Sequence, residues 1–519
     1  MLKNRYVIGL GFVLCTLLGC VEDKTVDTFK ELNEVTIEGL EDKYSVMLYS
    51  HLQVSPSIKT ALDDESQLSY VWYAYTTTTR EEADTLSYER NLDVLVEPSL
   101  LTPGEAYTLA LKVIDEETGV YYRKEMELEI RTQFTKGTVL LCEEAGQAEV
   151  NFLVDDTDRT LLENVYASAN DELVGRNPLR IYSVNPNDYA TFLKQELIFC
   201  DDENGGVVAS PLSFEKVKTM REACDMDFET PTVCPEFYYK GTMIDYIIMN
   251  GAICKRSTNM QAVNWEPQLV LMNEPREYSA APDVLAAGSN PVFFDELYGR
   301  LLIHPRFNQG YLNTLTKSDN DLGVFDSNNL GENLELKCWG GLSEANAGAW
   351  MLMQDAEARF WLYKFSLESD NFRSIAKIEV TDAIAPHMKE AISFAANPEY
   401  NDVFIYATKD AIYSFAANQL TQNTTSNLEV LQQDMALQNM EVTGIKFLNI
   451  TVPDPTASDP NATRASSQVR CCVRDLSLSE KQGGVIFYEV NSTGGIHLEL
   501  LFERCGFCDK VIDIDEKYS

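Results

Sequence analysis

The chain has 519 residues, 45% hydrophobic and 10% aromatic, with 81 acidic against 42 basic side chains and a formal net charge of −39. That length is too great for one core, so two or more domains are expected, and the apolar content excludes a disordered chain. The excess of carboxylates repels phosphate backbones and anionic headgroups, which excludes nucleic acid as a partner and argues against an electrostatic membrane tether.

The first 20 residues read as a targeting segment. Lys3 and Arg5 form a basic start, Tyr6 to Leu18 an apolar run, and Gly19 stands directly before Cys20. A run of that length fits a secretory signal rather than a membrane span, which needs about 20 apolar residues. Leu17-Leu18-Gly19-Cys20 resembles a bacterial lipobox, which implies a signal peptide over 1–19, lipid attachment at Cys20, and a protein exported and held in the outer membrane by its acyl chains. Glu22, Asp23 and Asp27 resemble the acidic tag that sends lipoproteins of the Bacteroidota to the cell surface.

From 20 to 134 the pattern is short strands. Leu68–Tyr75 and Leu92–Val96 alternate in the strand manner, and Tyr107–Ile114 and Val120–Ile130 flank Asp115-Glu-Glu-Thr-Gly119, a hairpin with glycine at the turn. Roughly seven such strands, with Trp72 on an early one and no cysteine pair, predict an immunoglobulin-like sandwich with Trp72 in its core.

From 135 to 519 an apolar strand, a polar turn and a second apolar strand recur, with hairpins beginning at 139, 197, 246, 292, 350, 403 and 469. Steps of about 40–60 residues are propeller-blade spacing, so the expected fold is all-β, a sandwich followed by a β-propeller of seven blades, with six or eight as alternatives. Two four-strand units stand out, at 391–431 and 442–501. Pro453–Ser467 reads as a surface excursion in the last blade. A closed ring needs its ends sewn together, so the strand at Gly137–Cys142 is expected to share a blade with strands near the C-terminus.

Few residues signal chemistry. His51, His304, His387 and His497 are scattered, and the His-Glu-x-x-His, Gly-x-Ser-x-Gly, Walker and dinucleotide motifs are absent. No catalytic, cofactor or metal residue is therefore assigned. Asp319-Asn-Asp-Leu-Gly323 has oxygen ligands at alternate positions, yet Leu330 stands where a calcium loop closes with glutamate, so it reads as a polar turn. Ten cysteines follow residue 141; one or two disulfides are expected, with Cys505-Gly-Phe-Cys508 the candidate pair and the rest buried thiols. Trp350 and Trp361 lie inside β-runs and read as core. Trp339, followed by Gly340-Gly341, is the candidate ligand contact, because glycines allow close approach to its ring.

Gly137-Thr-Val-Leu-Leu-Cys-Glu-Glu-Ala-Gly-Gln-Ala-Glu-Val-Asn-Phe152, Tyr400-Asn-Asp-Val-Phe-Ile-Tyr-Ala-Thr-Lys-Asp-Ala-Ile-Tyr413 and Gly506-Phe-Cys-Asp-Lys-Val-Ile-Asp-Ile514 carry a resemblance. With the sandwich before them, they are similar to the PKD-like surface lipoproteins of the Bacteroidota. The resemblance implies an accessory, nutrient-binding component of a TonB-dependent uptake system with a SusC-type porin and SusD-type lid. A glycan or peptide is the expected ligand, and neither cofactor nor catalysis is expected. An exported polysaccharide- or peptide-cleaving enzyme and a structural subunit of the outer-membrane complex stay open as alternatives.

Overall fold

The computed structural model describes residues 33–517 except 77–82, 185–193, 229, 242, 261, 288–289, 306–309, 341–347, 369–370, 397–402, 418–428, 433–436, 438, 454–461 and 492–496. Cys20, the signal segment, the acidic tag and most of the Pro453–Ser467 excursion lie outside the described residues. The chain divides into two compact units after Arg131.

The first unit is a β-sandwich. A five-stranded sheet runs in the order Lys43–Met47, Tyr121–Arg131, Ala106–Asp115, Leu68–Thr76, Asp84–Ser87, its first pair parallel and the others antiparallel. Two short pairs, Val35–Glu38 with Ser57–Thr60 and His51–Val54 with Leu92–Leu95, complete it. Period-2 alternation sends Leu109, Leu111 and Val113, with Met126, Leu128 and Ile130 opposite, into one core around a fully buried Trp72. The indole is core, as expected, and its N–H donates to the Arg90 carbonyl at 3.4 Å. In the predicted hairpin turn Gly119 takes φ +74°, and its N–H donates to the Asp115 carbonyl at 2.7 Å.

Among the described residues the second unit holds seven mainly antiparallel sheets in chain order, each one blade. Blade 1 contains Gly137–Glu144, Gln147–Val154 and Leu161–Leu162, with the C-terminal strand Lys510–Lys517 on its inner side. Blade 2 is Pro178–Val184, Gln195–Cys200, Gly206–Ala209 and Lys216–Thr219; blade 3 is Pro235–Tyr239, Ile244–Met249 and Ala252–Ser257. Blade 4 is Ala280–Ala287, Asn290–Asp295, Arg300–Ile303 and Tyr311–Thr314; blade 5 is Glu335–Gly340, Ala349–Gln354, Phe360–Glu368 and Asn371–Val380. Blade 6 is Ser393–Ala396, Val403–Ala407, Ile412–Ala416 and Glu429–Gln432; blade 7 is Met440–Pro453, Thr463–Asp475, Gly483–Asn491 and His497–Cys508. Two short segments, Val270–Leu271 and Thr316–Lys317, pair in parallel on the outer strands of blades 4 and 5.

The middle strands are largely apolar because both of their faces are covered, and charged members such as Glu196, Asp245 and Arg470 are ion-paired. In blade 2, Ile198 and Cys200 enter the core shared with blade 1, while Leu197 and Phe199 enter the core shared with blade 3. Each successive pair of blades encloses such a core, and the seventh, built from Leu140, Cys142 and Leu153 against Cys472, Val485 and Phe487, joins blade 7 to blade 1. The sheets therefore follow one another in a ring whose last strand pairs with its first blade, Gly137 to Glu143 opposite Lys517 to Lys510. Each fully buried Leu, Ile or Phe contributes about 1.5–3 kcal/mol, so the inter-blade cores carry most of the stability.

The cysteines follow the same logic and correct one expectation. All ten from Cys142 to Cys508 are free thiols. Cys471 and Cys472 are neighbours on one strand and so face opposite cores, the first toward blade 6 and the second toward blade 1. The candidate pair Cys505 and Cys508 is not a disulfide, for a similar reason. Cys505 packs against the blade 6–7 core, while Cys508 belongs to the blade 7–1 core beyond Gly506, which takes φ +90°. Gly484 and Gly483 make room for the two sulfurs, since a Cβ on either glycine would overlap one of them.

Candidate functional site: the propeller channel

The inner strands of all seven blades converge on two adjoining cavities of about 410 and 660 Å³. Arg180, Pro282, Ser393, Ile445 and Lys446 line both of them. These strands leave one edge unpaired toward the channel, so residues along that edge need not be apolar.

Charge is concentrated on the closing strand and blade 7. Lys446 Nζ donates to the Ile514 carbonyl at 2.7 Å and lies 3.5 Å from both Asp513 and Asp515. Burial opposes its charge, but the two carboxylates more than offset that and hold its pKa above the ordinary lysine range. Asp513 accepts the Ile181 N–H at 3.0 Å and Asp515 the Ser183 N–H at 2.8 Å, so alternate carboxylates of one strand hold the backbone of the next blade. Burial raises the Asp515 carboxyl, with Lys446 acting against it. Across the channel, burial pushes Asp283 up to about 6, although Val284 N–H donates to it at 2.8 Å and Arg180 lies nearby. Glu236 is raised by burial as well, opposed by the Gly251 N–H at 2.8 Å.

Aromatic rings supply the apolar part of the wall. Phe237, Tyr239, Phe394 and Phe447 line the larger cavity. The Arg180 guanidinium lies 5.8 Å from the Phe237 ring centre, and Lys446 Nζ lies 5.4 Å from that of Tyr182. Burial pushes the Tyr182 hydroxyl up to about 12.

Trp339 touches the larger cavity, but its ring is not an open platform. It is 8% exposed, sits in the core between blades 4 and 5, and meets Phe365 edge-on at 6.4 Å. Gly340 serves the fold instead of a ligand: a Cβ there would come 2.6 Å from the Phe404 ring. Gly341 lies outside the described residues. The Asp319–Gly323 turn is structural, because Asp321 accepts the Ser374 N–H and hydroxyl at 2.6 and 2.5 Å and the Gly323 N–H at 2.9 Å. Among the described residues no group of three or more His, Cys, Asp or Glu is placed to hold a metal.

Sequence reading missed Arg180, Asp283, Lys446, Asp513 and Asp515. The available signal was alternation: Asp513 and Asp515, like Arg180 and Tyr182, are two apart and share a strand face.

No curated protein matches the chain. Among solved structures it is similar to a quinoprotein alcohol dehydrogenase-like protein from Bacteroides thetaiotaomicron, at TM-score 0.45 and 10% identity, covering 92% of this chain and 96% of that one. It is also similar to the dihydro-heme d1 dehydrogenase NirN in complex with DHE, at TM-score 0.37 and 9% identity, covering 74% and 76%. A third is PorZ, a surface component of the type-IX secretion system of Porphyromonas gingivalis, at TM-score 0.25 and 9% identity, covering 76% and 64%. Residues 20–178, which run through the sandwich and the first blade to the opening of the second, match the model of the PKD-like family.

Proposed function

We propose that this protein is a lipid-anchored binding protein of the cell surface whose propeller channel receives a small nutrient, a glycan or peptide fragment, beside a TonB-dependent uptake porin of the SusC/SusD kind. The observation that carries the binding part is the 660 Å³ cavity in the channel, with rings and charged groups on one continuous wall. A volume of that order suits a ligand of disaccharide or dipeptide size, and a wall that mixes rings with fixed polar groups can orient what it holds. The anchor and the uptake partner rest on the lipobox-like Leu17–Cys20 and the resemblance described above.

Titration calorimetry of the purified protein against glycan and peptide panels tests the reading. The expected result is binding with the ligand recovered chemically intact. A second reading, an exported hydrolase, is favoured by Asp283, whose carboxyl at about 6 suits a general acid. Cleavage of a bound ligand that stops in Asp283→Asn would replace the first reading by the second.

A further inference from the structure

Three described cations line the channel cavities, Arg180, Lys337 and Lys446. Two are engaged: Lys446 by Asp513, Asp515 and the Ile514 carbonyl, and Lys337 by Glu335 at 2.6 Å. Arg180 differs. It borders both cavities and its guanidinium lies over the Phe237 ring, yet it makes no ion pair and no side-chain hydrogen bond among the described residues. Its field is shared with Asp283 and Asp513, neither of which pairs with it. Those carboxylates have other partners, Asp513 in the Ile181 N–H and Lys446, Asp283 in the Val284 N–H.

An arginine fork has five N–H donors in a plane that matches a carboxylate in two parallel hydrogen bonds, and leaving such a group unmet in a recess is costly. The surroundings limit the charge of what can meet it. Asp283 and Asp513 repel a second negative charge, and no second free cation lines the cavities among the described residues, so a singly charged anion fits and a phosphate dianion does not. The neighbouring Phe237 ring gives that anion an apolar body to rest on.

Resting on the channel-binding reading, we propose that Arg180 is the anion-recognition group of the channel and that the ligand carries a carboxylate, received in two parallel hydrogen bonds with its body against Phe237. A uronic-acid sugar and a peptide C-terminus offer the same group. The long-range field of this acidic chain disfavours anions, so Arg180 supplies selection at close range and not steering.

The test is calorimetry on the full chain with five probes: the singly charged disaccharide galacturonosyl-galactose, neutral galactobiose, an N-acetylated Phe-containing dipeptide with a free or an amidated C-terminus, and galactose 6-sulfate. Wild-type protein should prefer one carboxylate over its neutral partner by on the order of 10- to 100-fold. The preferred pair tells sugar from peptide. Arg180→Met should abolish the preference, and Arg180→Lys, which keeps charge but loses the fork, should retain only part of it. The wild-type comparison needs no variant, so it stands even if Arg180→Met does not fold. Binding of neutral probes as tight as their carboxylate partners overturns the role of Arg180 while the channel reading survives. A preference that persists in a folded Arg180→Met also overturns it. Failure of all five probes overturns both, and galactose 6-sulfate binding in place of either carboxylate would reassign the anion.

Discussion

Arg470 of blade 7 and Glu516 of the closing strand form a buried ion pair, Nη1 to Oε2 at 2.7 Å, with side chains only 1% and 8% exposed. Thr138 of blade 1 joins them, its hydroxyl accepting from Arg470 at 2.8 Å and donating to Glu516 at 2.8 Å. Gln468 Oε1 accepts from the Arg470 Nε and Nη2 at 3.1 and 3.0 Å, and the Phe487 ring lies 4.0 Å away. One polar knot thus ties the first blade, the last blade and the end of the chain. On the other side Lys517 pairs with Glu196 of blade 2 at 2.9 Å.

Removing one partner of such a pair strands the other charge without solvent. Arg470→Met is expected to destabilise the protein by about 3–5 kcal/mol, and the double variant Arg470→Met, Glu516→Leu to recover most of that loss. Urea unfolding of the three proteins measures it. A single variant within 1 kcal/mol of wild type would show that the pair is not a latch.

The closing strand carries more than the knot, since it fills the inner position of blade 1 along its whole length. A chain ending at Asp509 should lose cooperative unfolding of the entire propeller, not of one blade, because the cores on both sides of blade 1 open to water. Calorimetry and near-ultraviolet circular dichroism report this. A truncated protein with the parent transition would refute closure by this strand.

Asp283 gives a pH signature. Its folded value, about 6, lies above the ordinary 3.8, so the folded state binds its proton more tightly than the unfolded chain does. The corresponding stability is complete below pH 3.8 and is lost as pH rises through 6. Asp283→Asn should therefore match wild type near pH 4 and exceed it at pH 7.5 by on the order of 2 kcal/mol. Equal urea midpoints at pH 7.5 would mean that the carboxyl is not held high.

For Cys20, replacement by alanine should move the protein from the membrane fraction to the soluble one, since acyl chains contribute about 0.8 kcal/mol per buried methylene. Fractionation of cells expressing both forms decides it; unchanged retention would rule out the anchor.

The seven hairpins were legible because a strand sandwiched between two blades must be apolar on both faces, as in Leu197-Ile-Phe-Cys200. Apart from those of blades 6 and 7, which lie in the two four-strand units, the inner strands were not. Pro235-Glu-Phe-Tyr-Tyr239 and Lys510–Lys517 mix charges with apolar residues in the manner of an exposed edge, yet Asp513, Glu516 and Lys517 are buried and satisfied by partners far along the chain. Period and hydropathy report burial of apolar groups, not pairing of distant charges, so the channel stayed hidden. Trp339 shows the converse: a large ring beside glycine suggested an open platform, but the glycine yields its space to Phe404.

Val270–Leu271 follows the third strand of blade 3 yet pairs on the rim of blade 4, and Thr316–Lys317 follows blade 4 yet pairs on the rim of blade 5. Each passage between these blades is thereby stitched to the blade ahead before that blade's own inner strand begins. A segment cut out at the apparent repeat boundaries would carry away its neighbour's outermost strand. Blades 3 to 5 are consequently not interchangeable cassettes, and gain or loss of a single blade in this lineage would have to remake two rims at once.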